Sequence, residues 1–224
     1  MSAPSNTEKS LTTDMVLVHK VFRRELRLLP LLIGDVDGAD RPRAELLAAH
    51  CRALTTALRH HHSAETDLLW RRLNERDPMS PALEQQLRGW HQRHAELLAE
   101  LDGLLPLWER VPEADLQAVL TDILTELSAE VAEHLDAVEE HLLPAVDRVF
   151  SSTEWLACGL RAASWIPLHR MAWLLGAMLE DATPAERKNL MAKVPAPARL
   201  LYRMVGQEQY IREMRTLRGP LVAA

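Results

Sequence analysis

Two cysteines in 224 residues, Cys51 and Cys158, form no metal or disulfide spacing. No disulfide framework is implied, and a reducing compartment is the natural home. Glycine is sparse and aromatics are few, and hardly any stretch alternates apolar and polar residues with period two. Strands are therefore not expected. The longest apolar run, Met171–Leu179, is far too short to span a bilayer, so no stable membrane insertion is expected. The first ten residues lack the apolar segment of a signal peptide, which points to the cytoplasm. Positive charge is also scarce in the first two thirds. Residues 1–150 carry 16 Lys+Arg against 26 Asp+Glu, and an acidic body of this kind is not expected to bind nucleic acid. Residues 151–224 carry 10 against 6, a weakly basic tail best read as a solvated face.

Leucine, alanine, glutamate and arginine dominate, and these are helix-forming residues. Thr12, Thr13 or Asp14 caps a first helix that the pattern carries to about Leu29, where Pro30 discourages continuation. Its apolar stripe is Met15, Val18, Phe22, Leu26 and Leu29. Pro42 opens a second helix that runs to about Arg76. Ser80 and Pro81 open a third, running to about Leu105, and Pro106 and Pro112 bracket the next connection. The fourth helix is expected from about Pro112 to Arg148, with Leu116, Leu120, Ile123, Leu127 and Val131 inward and Pro144 kinking its last turns. Four long amphipathic helices with short connections imply an all-α, up-down-up-down four-helix bundle over residues 11–150. Residues 1–10 read as a disordered leader.

Histidines recur on all four helices. His61 and Glu65, four apart, project from one helix face. A solvated polar face explains one such pair; it does not explain the recurrence. His19 lies within the first helix's apolar stripe. Three successive histidines cannot share a face at about 100° per residue, so His60 and His62 are expected to be exposed or in a supporting role, and His50 solvated. On the third helix His91 and His94 share a face, with His94 nearer the core stripe. On the fourth, His134 and Glu139 can still reach one interior point. A buried cluster of imidazoles and carboxylates is costly to hold alone. A cation satisfies it, and this donor mixture suits iron, zinc or manganese better than calcium or magnesium.

At these residues the chain resembles the hemerythrin-like, or HHE cation-binding, family. The pattern of that family is a histidine on helix one, His-x3-Glu on helix two, His-x3-His on helix three and His-x4-Asp/Glu on helix four. His19, His61 with Glu65, His94, and His134 with Glu139 match it in order. The resemblance implies a non-haem centre of two irons, carboxylate- and oxo- or hydroxo-bridged, that binds or reacts with oxygen, peroxide or nitrogen oxides. His19 and His61 would serve one iron, His94, His134 and His91 the other, and Glu65 and Glu139 would bridge. The departure is Trp90, where the pattern has a histidine. Either His91 substitutes, or one iron keeps an open position that favours oxidase, oxygenase or peroxidase chemistry over carriage. Many members also carry a carboxylate four after the helix-four histidine; here that position is Val138, and Glu140 could rotate in, but Glu139 is the better bridging candidate. Carrier, sensor and enzyme readings all stay open.

Beyond residue 150 only His169 remains of the metal-binding type. Ser151 to Thr153 has capping potential, Pro167 to Leu179 reads as an apolar helix, Thr183-Pro184 opens another, and Pro195 to Pro197 breaks before a last one. Trp155, Trp165 and Trp173 are expected to pack this helical extension, residues 151–224, on the bundle. A homodimer surface or a lid are its other readings.

Overall fold

A computed structural model describes residues 10–167 and 170–219. Among them there is no strand, and no helix is long and apolar enough to cross a membrane. The helices of residues 13–149 stand in four columns that pack on one another. The first is α1 (Thr13–Gly34). The second is α2 (Arg41–Ala64), continued by a π-helical stretch Glu65–Trp70 and by α3 (Arg71–Arg76). The third is α4 (Pro81–Arg110). The fourth is α5 (Ala114–Ala137), continued by a π-helical stretch Val138–Leu142 and α6 (Leu143–Val149). α1 packs against α2 and α5, and α4 against the same two, so each column has two neighbours.

Helix starts follow local chemistry. Asp40 caps α2 by accepting from the Arg43 amide, and Ser80 caps α4 by accepting from Leu83, each with proline in the first turn. Two proline boundaries are corrected. α1 passes through Pro30 to Gly34, and α4 passes through Pro106 to Arg110. A proline inside a helix costs about 3 kcal/mol. Here Leu28, Leu29, Leu32 and Ile33 are buried around Pro30, and Leu105 and Trp108 around Pro106. Burying several such side chains at about 1.5–3 kcal/mol each outweighs the lost bond. Pro144 sits at the start of α6, just past a π-helical stretch where the α-helical ladder is already interrupted.

The core is in two parts. One contains Leu17, Phe22, Leu58, Leu97, Leu101, Val131 and Leu135. The other contains Leu69, Trp70, Leu73, Leu87, Val138, Leu142 and Val146. On the second, third and fourth columns the division falls between Leu58 and Leu69, between Leu87 and Leu97, and between Leu135 and Val138. The histidine-bearing turns occupy or border those gaps, so a polar layer separates two apolar ones.

The extension packs on both parts. α7 (Ser152–Ala162) starts in a capping box between Ser151 and Glu154 and puts Trp155 and Cys158 on the second core. α8 (Met171–Glu180), α9 (Pro184–Lys193) and α11 (Gln207–Arg218) add Ala177, Leu179, Leu190, Tyr210 and Leu217 to the first. α10 (Ala196–Leu201) and a third π-helical stretch, Tyr202–Gly206, join α9 to α11. Lys20 reaches Glu186 at 2.9 Å, and the Trp155 indole N–H donates to Asp14 at 3.0 Å. Apart from Ser10, the expected leader lies outside the described residues, as does His169.

Candidate metal centre

Two groups of three donors meet in the polar layer. His19, His61 and Glu65 form one, and His62, His91 and His134 the other; within each, the donor atoms lie within 4.8 Å of one another. Glu65 stands between them. Its Oε1 is 3.4 Å from His61 Nε2, while its Oε2 is 3.1 Å from His91 Nε2 and 3.4 Å from His134 Nε2. One carboxylate thus offers an oxygen to each side. Both π-helical stretches on the bundle columns carry an acid of the pattern, Glu65 in one and Glu139 in the other. Such wide turns re-aim side chains and are frequent at functional sites.

The histidine triplet is divided three ways. His61 faces α1, with its ring 5.2 Å from those of His19 and Phe22. His62 faces α4 and α5, stacked on His91 at 4.2 Å and on His94 at 5.0 Å, and edge-on to His134 at 5.3 Å. His60 is exposed and lies flat on Trp165 of the extension at 4.3 Å. Of the two expectations for His62, exposed or supporting, exposure is excluded, for His62 is buried among the other rings. A step of about 100° does separate His61 from His62. A column with two neighbours has two inward directions, however, and each histidine takes one.

His91 is held between His62 and the Trp70 ring, which stacks on it at 4.7 Å. Trp90 packs beside His134, with ring centroids 5.9 Å apart. His94 is fully buried but belongs to neither donor group; its ring lies behind His62 and 5.6 Å from His134. Glu139 also lies outside both groups. Its Oε1 is 2.8 Å from His19 Nδ1 and accepts from Arg23 at 2.6 Å. A carboxylate on the far nitrogen of an imidazole fixes which nitrogen is free to point inward. Glu140 and His141 are exposed, and Val138 is buried in the core. His50 is not solvated as expected: its side chain is buried, and Nε2 stands 3.1 Å from Glu25.

The donors suit a cation. Buried atoms without any hydrogen-bond partner include Nε2 of His19, His61 and His62, both ring nitrogens of His94 and His134, and Glu65 Oε1. Orphans of this kind are rare because each costs about 1–3 kcal/mol. Burial also favours the neutral form of four of these imidazoles, His19, His62, His94 and His134. It lowers His19 and, strongly, His62, and it holds His94 at about 4 and His134 at about 3. Burial alone would push the Glu65 carboxyl up, but the surrounding His61 and His134 outweigh it and hold it well below the usual range. Neutral imidazole and ionised carboxylate are the forms that ligate metal.

A buried layer of unpaired imidazoles around one carboxylate defines a helical cation-binding protein. The family model of the hemerythrin HHE cation binding domain matches residues 10–146. The chain belongs to that family, whose members typically bind iron. No curated protein and no solved structure matches the chain.

Of the residues singled out in the sequence, His19, His61, Glu65, His91 and His134 are brought together in the two groups. His94 lies adjacent, and Glu139 stands behind His19. For His62 the sequence allowed exposure or a supporting role, and the structure places it with His91 and His134 in the second group. Its signal was present: it adjoins His61, on a column that must face two neighbours.

Proposed function

We propose that this protein is a non-haem di-iron protein, built on an up-down-up-down four-helix bundle, that binds or reacts with oxygen, peroxide or nitrogen oxides. The observation that carries the reading is Glu65, a fully buried carboxylate whose two oxygens face two separate imidazole groups. A cation held on each side would satisfy both oxygens at once. His19 and His61 hold one ion, and the histidines of α4 and α5 take part in holding the other. Glu139 and Arg23 act from outside by keeping the Nε2 of His19 turned inward. Iron so bound supplies reversible ferrous–ferric chemistry. Phe22 and the two apolar cores exclude water above and below the layer.

Elemental analysis and an absorption spectrum of protein loaded with ferrous iron test this reading. Two irons per chain and a ferric charge-transfer band that bleaches on reduction are expected. Failure to bind iron, or a strict preference for two colourless zincs, overturns it.

A second reading, a metal- or redox-sensing module, is favoured by the stack of Trp165 on His60. His60 directly precedes His61 and His62, so a change at the centre reaches the extension through one turn of helix. Limited proteolysis of residues 151–224 with and without metal is the test, and identical cleavage in both states sinks this reading.

A further inference from the structure

We propose that His62 supplies the imidazole that α4 lacks at Trp90, so that one cation is held by His62, His91 and His134. The inference rests on the metal-binding reading and changes which helix completes the centre. An indole has no lone pair to give a metal, so Trp90 leaves the third column one donor short. His62 reaches the same region from the second column. Its donor atom lies within 4.8 Å of those of His91 and His134, and its Nε2 is buried with no hydrogen-bond partner. Bonds from imidazole nitrogen to a first-row ion such as zinc are about 2.0–2.1 Å, so donors on one ion stand up to about 4.2 Å apart. Small rotations of the three rings therefore close the set.

The position is also built. Trp70 and His62 clamp the His91 ring between them, and His94 backs the His62 ring. A solvated surface histidine has no such walls, as His60 on the same helix shows. The assignment moves the poorer half of the centre. With His62 in place, one ion has three imidazoles and the other has two, His19 and His61, with Glu65 shared. The less complete ion is then the one beside Glu139 and Arg23, not the one beside Trp90. The cation class is a first-row ion that prefers imidazole nitrogen, iron or zinc.

Metal stoichiometry and affinity, read separately with ferrous iron and with zinc, test the proposal. Wild type and His60→Ala are expected to hold two ions per chain. His62→Ala is expected to hold one tightly, with the second weakened by more than 100-fold. Loss of a merely supporting partner costs about 10–100-fold, so that threshold separates a ligand from a supporting role. His62→Gln, which keeps a polar group of similar length, is expected to fold with the wild-type circular dichroism and to lose the same ion. Two tightly held ions in either His62 variant overturn this assignment and leave the di-iron reading intact. A wild-type protein that binds neither metal sinks the underlying reading instead.

Discussion

Helix α1 contributes to two buried polar clusters that are built on opposite principles. Around Glu25, on the face toward the extension, almost everything is paired. Arg24 Nε and Arg218 Nη2 each donate to Glu25 at 2.8 Å, and His50 stands 3.1 Å away. Arg218 and the Tyr210 hydroxyl also donate to Glu180, and Arg24 donates to Asp181. Arg218 Nε is the one unpartnered buried atom among these residues. Around Glu65 the reverse holds: a single carboxylate faces a ring of imidazoles, most of whose buried nitrogens lack a partner. The contrast separates two uses of buried polarity. A cluster that the protein satisfies by itself is a fastener, here joining α1 to α8 and α11. A cluster left unsatisfied is completed by something that is not protein.

The largest effect that would break this comparison is expected from Glu65→Ala. It removes the oxygens shared by both groups, so tight binding of the two proposed ions should fall by 100-fold or more in a metal titration. The rise in melting temperature on adding metal should vanish with it; that rise corresponds to about 2.7 kcal/mol at a ligand concentration of 100 times Kd. Retention of both ions would mean that the imidazoles alone suffice. Next in size is Glu25→Ala, which leaves Arg24 and Arg218 buried without their shared partner. Breaking a buried charged pair in this way costs about 3–5 kcal/mol, measurable by denaturant unfolding. Metal stoichiometry should stay at the wild-type value, and a drop in it would show that the two clusters are not independent.

Acid sharpens the comparison, because the clusters titrate in different windows. In metal-free protein His94 is held at about 4 and His134 at about 3 by burial, against 6.5 for free imidazole. The unfolded chain therefore takes up protons first. The stability they contribute is full above pH 6.5 and drains as pH falls toward 3. Burial pushes the Glu25 carboxyl up, but His50, Arg24 and Arg218 outweigh it and hold it at about 2. Its contribution is present above 4.5, the ordinary value, and is lost only between 4.5 and 2. A melting series should lose stability between pH 6.5 and 4.5, and bound metal should leave that loss at least as large, because it keeps the folded imidazoles unprotonated. A flat profile over this range would contradict the buried neutral state of His94 and His134.

Smaller effects are expected where the extension merely packs. A Cβ added at Gly176 would meet Tyr210 Cγ at 2.5 Å and Cδ2 at 2.8 Å. The Tyr210 hydroxyl is bound to Glu180, so the ring has little room to retreat. Gly176→Ala should cost about 1–3 kcal/mol, as overpacking does, and should make residues 151–219 more open to protease without touching metal content. His60→Ala should do least. It removes one exposed ring stack, worth at most about 0.5–1.5 kcal/mol, and leaves metal binding unchanged.

Much of this was legible in the chain. The 3–4 spacing of Leu97, Leu98, Leu101 and Leu105, or of Leu120, Ile123, Leu127 and Val131, announces the buried face of each helix. The recurrence of histidines on four such helices marks the level where the core is interrupted. What misled were rules that consider one helix at a time. Pro30 and Pro106 look like terminators until the apolar residues around them are seen to be buried. His50 looks solvated until Glu25 approaches from another column, and His62 looks misaligned until its helix is given two neighbours.

Periodicity and side-chain chemistry, written every few residues, were enough to specify helices, their inward stripes and an imidazole-rich layer, because those depend on the 3.6-residue turn alone. The division of His60, His61 and His62 among three surroundings was decided only by packing. So were the stance of Glu139 behind His19 and the fastening of the extension through Glu25. Each of these depends on which distant segment arrives at a given face, and contacts between residues far apart in the chain leave no local period to read.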